Sequence, residues 1–406
     1  MNTKRKIIND PVFGFINIPD GLIYRLINHP YLQRLNRIKQ LGLAFYAYPG
    51  AVHTRFHHSL GAMHLMSEAI AQLRVTGHPI SDEEKTGAMA CILMHDIGHG
   101  PFSHVLENTL VSGISHEEIS LLLMNRINDE FGGELSTAIE IFRDRYPKRF
   151  LHQLVSGQLD VDRLDYLRRD SFFTGVTEGN IGSARIIKML NLKNDKLVVE
   201  VKGIYSIENF LMARRLMFWQ VYLHKTAVAA EKMLISTLKR AKYLAAKGVN
   251  LEATESLRYF LYNQIDKTIF ESDGEAVAHF TALDDNDIWC SLKAWAKSPD
   301  MALSILSDGL INRNLFKIEY FTEPVPQAVI EEKMALLARN YGISLDDAAY
   351  LISSDQISTN MYSEADDSID ILYRDGSTKD IADASDMLNI QLLSKKVGKY
   401  YLCYLR

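Results

Sequence analysis

The chain has 406 residues, of which 47% are hydrophobic and 23% charged, and its net charge is −5. That composition is ordinary for a folded globular protein, and it excludes both a disordered polyelectrolyte and a chain whose overall field draws nucleic acid or anionic membranes. Three scattered cysteines, Cys91, Cys290 and Cys403, cannot build a disulfide framework or a thiolate zinc site. Each sits among apolar neighbours, which predicts buried free thiols. No stretch approaches the ~20 apolar residues that span a bilayer, and no apolar run of signal length follows Lys4, Arg5 and Lys6. A cytoplasmic protein of roughly two or three domains, without membrane contact, is expected.

Taken in chain order, Ser81-Asp82-Glu83-Glu84 has the S-x-x-E form of a capping box. It predicts a helix through Met89, Ile92 and Leu93 to His95-Asp96, stopped by Gly98, Gly100 and Pro101. The His-Asp pair is therefore expected on the last turn of a buried helix. Further helices are predicted from about Ser103 past Leu106, and over Glu117 to Ile127. In LDVDRLDYLRRD, residues 159–170, Leu159, Val161, Leu164 and Leu167 give a helix buried on one side and charged on another.

Asn194-Asp195 is a turn signal followed by strand-like alternation over Lys196 to Lys202, and a long helix is predicted from about Ser206 to beyond Leu238. Beyond about residue 245 the pattern is mixed. Leu315 to Phe321 alternates, Ala328 to Tyr341 reads as a helix closed by Gly342, Ile369 to Tyr373 alternates, and Val397 to Leu405 reads as a strand. The expected fold is mainly α. Residues 1–245 form a helical core with short β-hairpin elements, and residues 246–406 form a C-terminal α+β appendage serving structure or oligomerisation.

Nine of the thirteen histidines fall between His53 and His116, and metal sites are where histidines gather. His58, the adjacent His95-Asp96 and the distant Asp162 form a mixed imidazole and carboxylate set that suits Fe, Mn, Zn, Ni or Mg and the activation of water. In HDIGHGPFSH, residues 95–104, three histidines and an Asp are bent together by two glycines and a proline. His104 and Glu107 pair at i, i+3, as a carboxylate-oriented acid or base would. Asp162, Tyr166 and Asp170 share one helix face, and so do Arg214, Phe218 and Tyr222, a cation and two aromatics fit for phosphate and base. Arg55, three residues before His58, is a further phosphate clamp. No P-loop, GxGxxG, GxSxG or CxxC pattern occurs.

The segments QRLNRIKQLG, YPGAVHTRFHHSLG, HDIGHGPFSH and LDVDRLDYLRRD together resemble the HD-domain phosphohydrolases, and within them the deoxynucleoside triphosphate triphosphohydrolases. The resemblance covers about residues 20–230. It implies that His58, His95, Asp96 and Asp162 hold a divalent ion (Mn, Fe, Ni, Co, Zn or Mg), with Asp96 also counted as catalytic. Arg55, His99, His116, Arg163 and Arg214 then match triphosphate positions. His104 matches a catalytic histidine with Glu107 as its acidic partner. Gln40, Leu41, Tyr166, Asp170 and Tyr222 match positions around the sugar, with a tyrosine at Tyr166 crowding the ribose 2′ carbon.

The chain departs from the pattern at Asn28 and Asn36, where activator-regulated members carry charges, and at Phe218, where the pocket helix has a His. The implied reaction is hydrolysis of a dNTP to deoxynucleoside and tripolyphosphate by a homo-oligomer. Other readings are an HD phosphohydrolase acting on monophosphates, cyclic nucleotides or alarmones, and a nucleotide-sensing regulator with a silent core and weak single-strand binding.

Overall fold

Asn194 and Asp195 both adopt left-handed backbone, with φ of 51° and 60°. That is the conformation a two-residue type I′ turn requires, and it joins strands Leu190–Lys193 and Lys196–Glu200 into a hairpin. The computed structural model describes residues 6–102, 109–359, 368–386 and 397–406. Within it, Lys196–Glu200 pairs in parallel with Asp370–Leu372, which in turn pairs with Thr378–Asp380. One four-stranded sheet therefore takes two strands from before residue 245 and two from far down the chain. A second sheet is antiparallel, with Val397–Tyr404 between Lys317–Phe321 and Ile352–Thr359. An N-terminal hairpin pairs Lys6–Asp10 with Gly14–Ile18.

Helices make up most of the rest, so the mainly α expectation holds. Arg55–Val75 packs against both Asp82–Met94 and Val161–Thr174, and these three carry the site. Asp82–Met94 opens with the expected capping box. Ser81 Oγ accepts from Glu84 N at 3.1 Å, and Glu84 Oε2 accepts from Ser81 N at 2.7 Å. From Gly87 to Met94 every residue is buried, so this helix is core all round. It ends at Met94, and His95 caps it while Asp96 lies in the following turn, one step beyond the expected last turn. The expected helix at Ser103 lies outside the described residues. The next helix spans His116–Glu130 and has a second capping box, from Ser115 to Glu118.

Two expectations are corrected. The long helix from Ser206 is two helices, Ile204–Met217 and Lys225–Ala246, separated by the π-helical turn Phe218–Tyr222. Leu223 N donates to Phe218 O at 2.9 Å, an i→i−5 bond that widens the turn. His224 is then extended, and its ring accepts from Thr226 N at 3.2 Å to start the new helix. Cys91 and Cys403 are buried as expected, but Cys290 is exposed. It lies on the outer face of Asp285–Trp295, whose Ile288, Leu292 and Trp295 face inward. Among the described residues no helix is long and apolar enough to cross a membrane.

Candidate active site

Helix ends deliver the cluster. His58 sits in the first turn of Arg55–Val75, His95 at the C-terminus of Asp82–Met94, and Asp162 in the first turn of Val161–Thr174. Asp160 caps that last helix by accepting from Arg163 N at 2.7 Å. His58 Nε2 lies 3.0 Å from Asp162 Oδ1 and 3.3 Å from His95 Nε2, and His95 Nε2 lies 3.6 Å from the same Asp162 oxygen. The three ligand atoms fall within 4.8 Å of one another. Asp96 stands beside them, with Oδ1 3.4 Å from His95 Nε2 and from His99 Nδ1, and with Oδ2 held by the Arg55 guanidinium.

Both imidazoles are oriented from behind. His95 Nδ1 donates to the Ile92 carbonyl at 2.6 Å, and His58 Nδ1 donates to Asp165 Oδ2 at 2.7 Å. Each contact places a ring proton on Nδ1, so that Nε2 is the nitrogen free to offer a lone pair to a cation in exchange for its proton. Asp165 is itself gripped by Arg169, through Nε at 2.9 Å and Nη2 at 2.9 Å, and Arg169 Nη1 reaches Asp10 Oδ2 at 2.7 Å. All three side chains are buried. Gly61 makes room for them, since a Cβ there would stand 1.9 Å from Asp165 Oδ1 and 2.1 Å from Arg169 Nη2.

Burial raises the pKa of Asp162, but hydrogen bonds from His58 and His95 hold it well below the usual carboxylate range. Burial also favours neutral His58, and hydrogen bonds to Asp162 and Asp165 outweigh it, lifting the ring to about 10. Two inward Nε2 atoms, which give up their protons to a cation and are crowded by the Asp162 and Asp96 carboxylates, are the donor chemistry that a hard or borderline divalent cation takes. The residues present therefore fit the metal.

Asp96 and Asp162 open into a cavity of about 660 Å³. Arg55, His99, His116 and Arg214 line it, as do Gln40, Leu41, Tyr166, Asp170 and Tyr222. The His99 and His116 rings pack with centroids 4.0 Å apart. Tyr222 donates to Asp170 Oδ2 at 2.8 Å, and Asp170 Oδ1 lies 2.8 Å from His53 Nε2. Among the described residues predicted to contact substrate, Arg163 is the one that does not line the cavity. Its guanidinium is engaged by Asp160 and by the Gly157 carbonyl at 2.5 Å. His104 and Glu107 lie outside the described residues.

Asp165, Arg169 and Asp10 carry no motif of their own in the sequence, although Asp165 follows Asp162 by one helical turn within the charged segment. The same holds for Arg34, which is buried and donates to the carbonyls of Ile97 and His99 at 2.8 and 2.9 Å. Arg34 reaches Leu283 O at 3.3 Å, and the next-door Asp285 accepts from Lys39 N at 3.0 Å and Phe102 N at 2.9 Å. Those contacts fix the loop that follows the His-Asp pair.

Residues 55–170 match the HD domain family, and residues 181–259 match the HD associated region. The chain is 30% identical over 396 residues to the uncharacterized protein YwfO of Bacillus subtilis, covering 94% of this chain and 88% of that one. It is 27% identical over 378 residues to the deoxynucleoside triphosphate triphosphohydrolase SAMHD1 of Homo sapiens, covering 81% of this chain and 57% of that one. A crystal structure of a phosphohydrolase from Bacteroides thetaiotaomicron is similar with a TM-score of 0.97 and 65% identity, covering 99% of this chain and 100% of that one. With its paired His-Asp motif, its clustered ligands and these relatives, the chain belongs to the HD-domain phosphohydrolases.

Proposed function

We propose that the protein hydrolyses deoxynucleoside triphosphates to deoxynucleoside and tripolyphosphate, with a divalent metal held by His58, His95, Asp162 and Asp96. The observation that carries this reading is one shared cavity. It joins the carboxylates of the ligand set to four nitrogen-rich side chains suited to polyphosphate and to two tyrosines suited to a sugar. A divalent cation, when bound, supplies the Lewis acidity that activates water and neutralises phosphate charge.

The protein's own groups do the rest. Arg55 and Arg214, with His99 and His116, bind the triphosphate and spread the charge that builds on it as water adds at the α-phosphorus and the bond to the nucleoside 5′ oxygen breaks. Asp165 and the Ile92 carbonyl keep the two ligand rings in the tautomer that offers Nε2. Tyr166 bounds the sugar on one side, and Gln40, Leu41 and the Asp170–Tyr222 pair bound it on others. Arg163, engaged by Asp160, positions the start of the Asp162 helix. The proton for the nucleoside 5′ oxygen is assigned to His104 with Glu107 on the sequence resemblance alone. Self-association into a homo-oligomer belongs to the same proposal.

The test is to load the protein with each of Mn, Fe, Ni, Co, Zn and Mg, and to incubate it with the dNTPs, the NTPs and the monophosphates. Anion exchange then separates the products. Tripolyphosphate with deoxynucleoside supports the reading. Orthophosphate or pyrophosphate points to a different phosphohydrolase, and single-strand binding without turnover points to a regulator.

A further inference from the structure

We infer that Glu231 reads the base of the nucleotide and that the base it selects is guanine. The inference rests on the nucleotide reading of the cavity given above. Glu231 lies in the second turn of Lys225–Ala246, and with Ala227 and Ile235 at i−4 and i+4 it forms one helical stripe on the cavity wall. Ala227 is small and Ile235 aliphatic, so Glu231 is the polar group of that stripe.

The placement follows from what the cavity already holds. Arg55, His99 and His116 gather beside Asp96, which marks the phosphate end, and Tyr166 with the Asp170–Tyr222 pair marks the sugar. Apart from Gln40 and Leu41, already placed at the sugar, what remains is a wall made mainly of Gly42, Phe218, Lys232 and the Glu231 stripe. Phe218 brings an aromatic face to it, on which a base can stack.

Two acceptors lining the cavity, one on that wall and one beside the sugar, lack donors among the described residues. Glu231 has neither a hydrogen bond nor an ion pair to any described residue, and Gln40 Oε1 is buried without a partner among them. The neighbouring Lys232 is turned to Asp355, with Nζ 3.0 Å from its Oδ2. Burial pushes the Glu231 carboxyl up to about 7, with the neighbouring Lys232 charge opposing. A carboxylate that opens on the cavity without a protein partner is available to an incoming donor.

A carboxylate on the wall selects a base edge with N–H groups. Guanine presents N1–H and an N2 amino hydrogen side by side, which match the two oxygens of one carboxylate. Adenine and cytosine present one amino group next to a ring nitrogen that repels a carboxylate, and thymine presents one N–H between two carbonyls.

The experiment compares the wild type with Glu231→Gln and Glu231→Asp. Turnover of the four dNTPs is measured alongside equilibrium binding of their slowly hydrolysed α-thio analogues. The wild type is expected to favour the guanine nucleotide in both assays. Glu231→Gln should lower the dGTP to dTTP ratio about tenfold or more, roughly the worth of one charged hydrogen bond, and Glu231→Asp should keep guanine first by a smaller margin. The ratio cancels losses common to all four nucleotides, so a merely structural role leaves it unmoved. A wild type without guanine preference, or a ratio unchanged in Glu231→Gln, overturns the inference. Guanine-selective binding that Glu231→Gln abolishes, without turnover of any dNTP, upholds Glu231 and removes the triphosphohydrolase reading. Turnover of all four dNTPs at equal efficiency does the reverse.

Discussion

Asp165 stands 2.7 Å from Nδ1 of His58, on the side of the ring opposite the Asp162 contact. The imidazole is thus held between two carboxylates, one that shares its cluster and one that only orients it. Asp165→Asn keeps the shape but can present an N–H instead of an acceptor, so the Nδ1 proton is no longer specified. Metal affinity should fall about 10- to 100-fold, as is usual when such an outer partner is lost. Metal content after dialysis against a graded chelator series measures it, and wild-type affinity would count against the orienting role.

Gly61 tests the same relay from the helix opposite. A Cβ at 1.9 Å from Asp165 Oδ1 forces the Asp165–Arg169 pair off its position. Gly61→Ala should therefore cost about 2–4 kcal/mol of stability, the range for overpacking beside a buried ion pair. Denaturant unfolding of the metal-free protein gives the number. A neutral outcome would mean that the relay tolerates movement.

Asp162 and His104 separate binding from chemistry. Asp162→Ala removes an oxygen close to both Nε2 atoms, so metal binding and turnover should disappear together. His104→Ala should lose turnover while retaining its metal. Residual activity in Asp162→Ala, read by product chromatography, would dismiss the ligand assignment.

Stability should also depend on pH through Glu231. Burial raises its folded pKa to about 7 from an ordinary 4.5. Between those values the folded state binds the extra proton, so stability falls as pH rises through the window and stays low above it. Glu231→Gln lacks this loss. It should be more stable than the wild type by on the order of 1–2 kcal/mol at pH 8, a figure reduced for partial solvent access, and no more stable at pH 4.5. Paired urea melts at the two pH values check the sign.

Local pattern made some of this molecule readable. The Ser81–Glu84 box, the Asn194-Asp195 turn and the Asp162, Tyr166, Asp170 face each depend on residues a few positions apart, and each is found where the sequence places it. Arg169 and Asp10 meet across 159 residues, Arg34 and Leu283 across 249. Nothing local marks such pairs, so the relay behind His58 and the clamp on the His-Asp loop were not legible. The Phe218 turn was hidden for another reason. Its apolar periodicity runs on unbroken, and the change is one of backbone hydrogen-bond register, to which side-chain pattern is blind. Cys290 looked buried because apolar neighbours in sequence, such as Ile288 and Leu292, share its helix without sharing its face.

The four-stranded sheet sets an order on how the chain can be made. Lys196–Glu200 waits for Asp370–Leu372, which emerges about 170 residues later, an interval of roughly 10–30 s at common rates of synthesis. Throughout that interval one side of the early strand offers unanswered N–H and C=O groups to any other extended chain. A product truncated before Asp370 keeps that open edge permanently, so the final tenth of the sequence also shields the finished protein from its own copies.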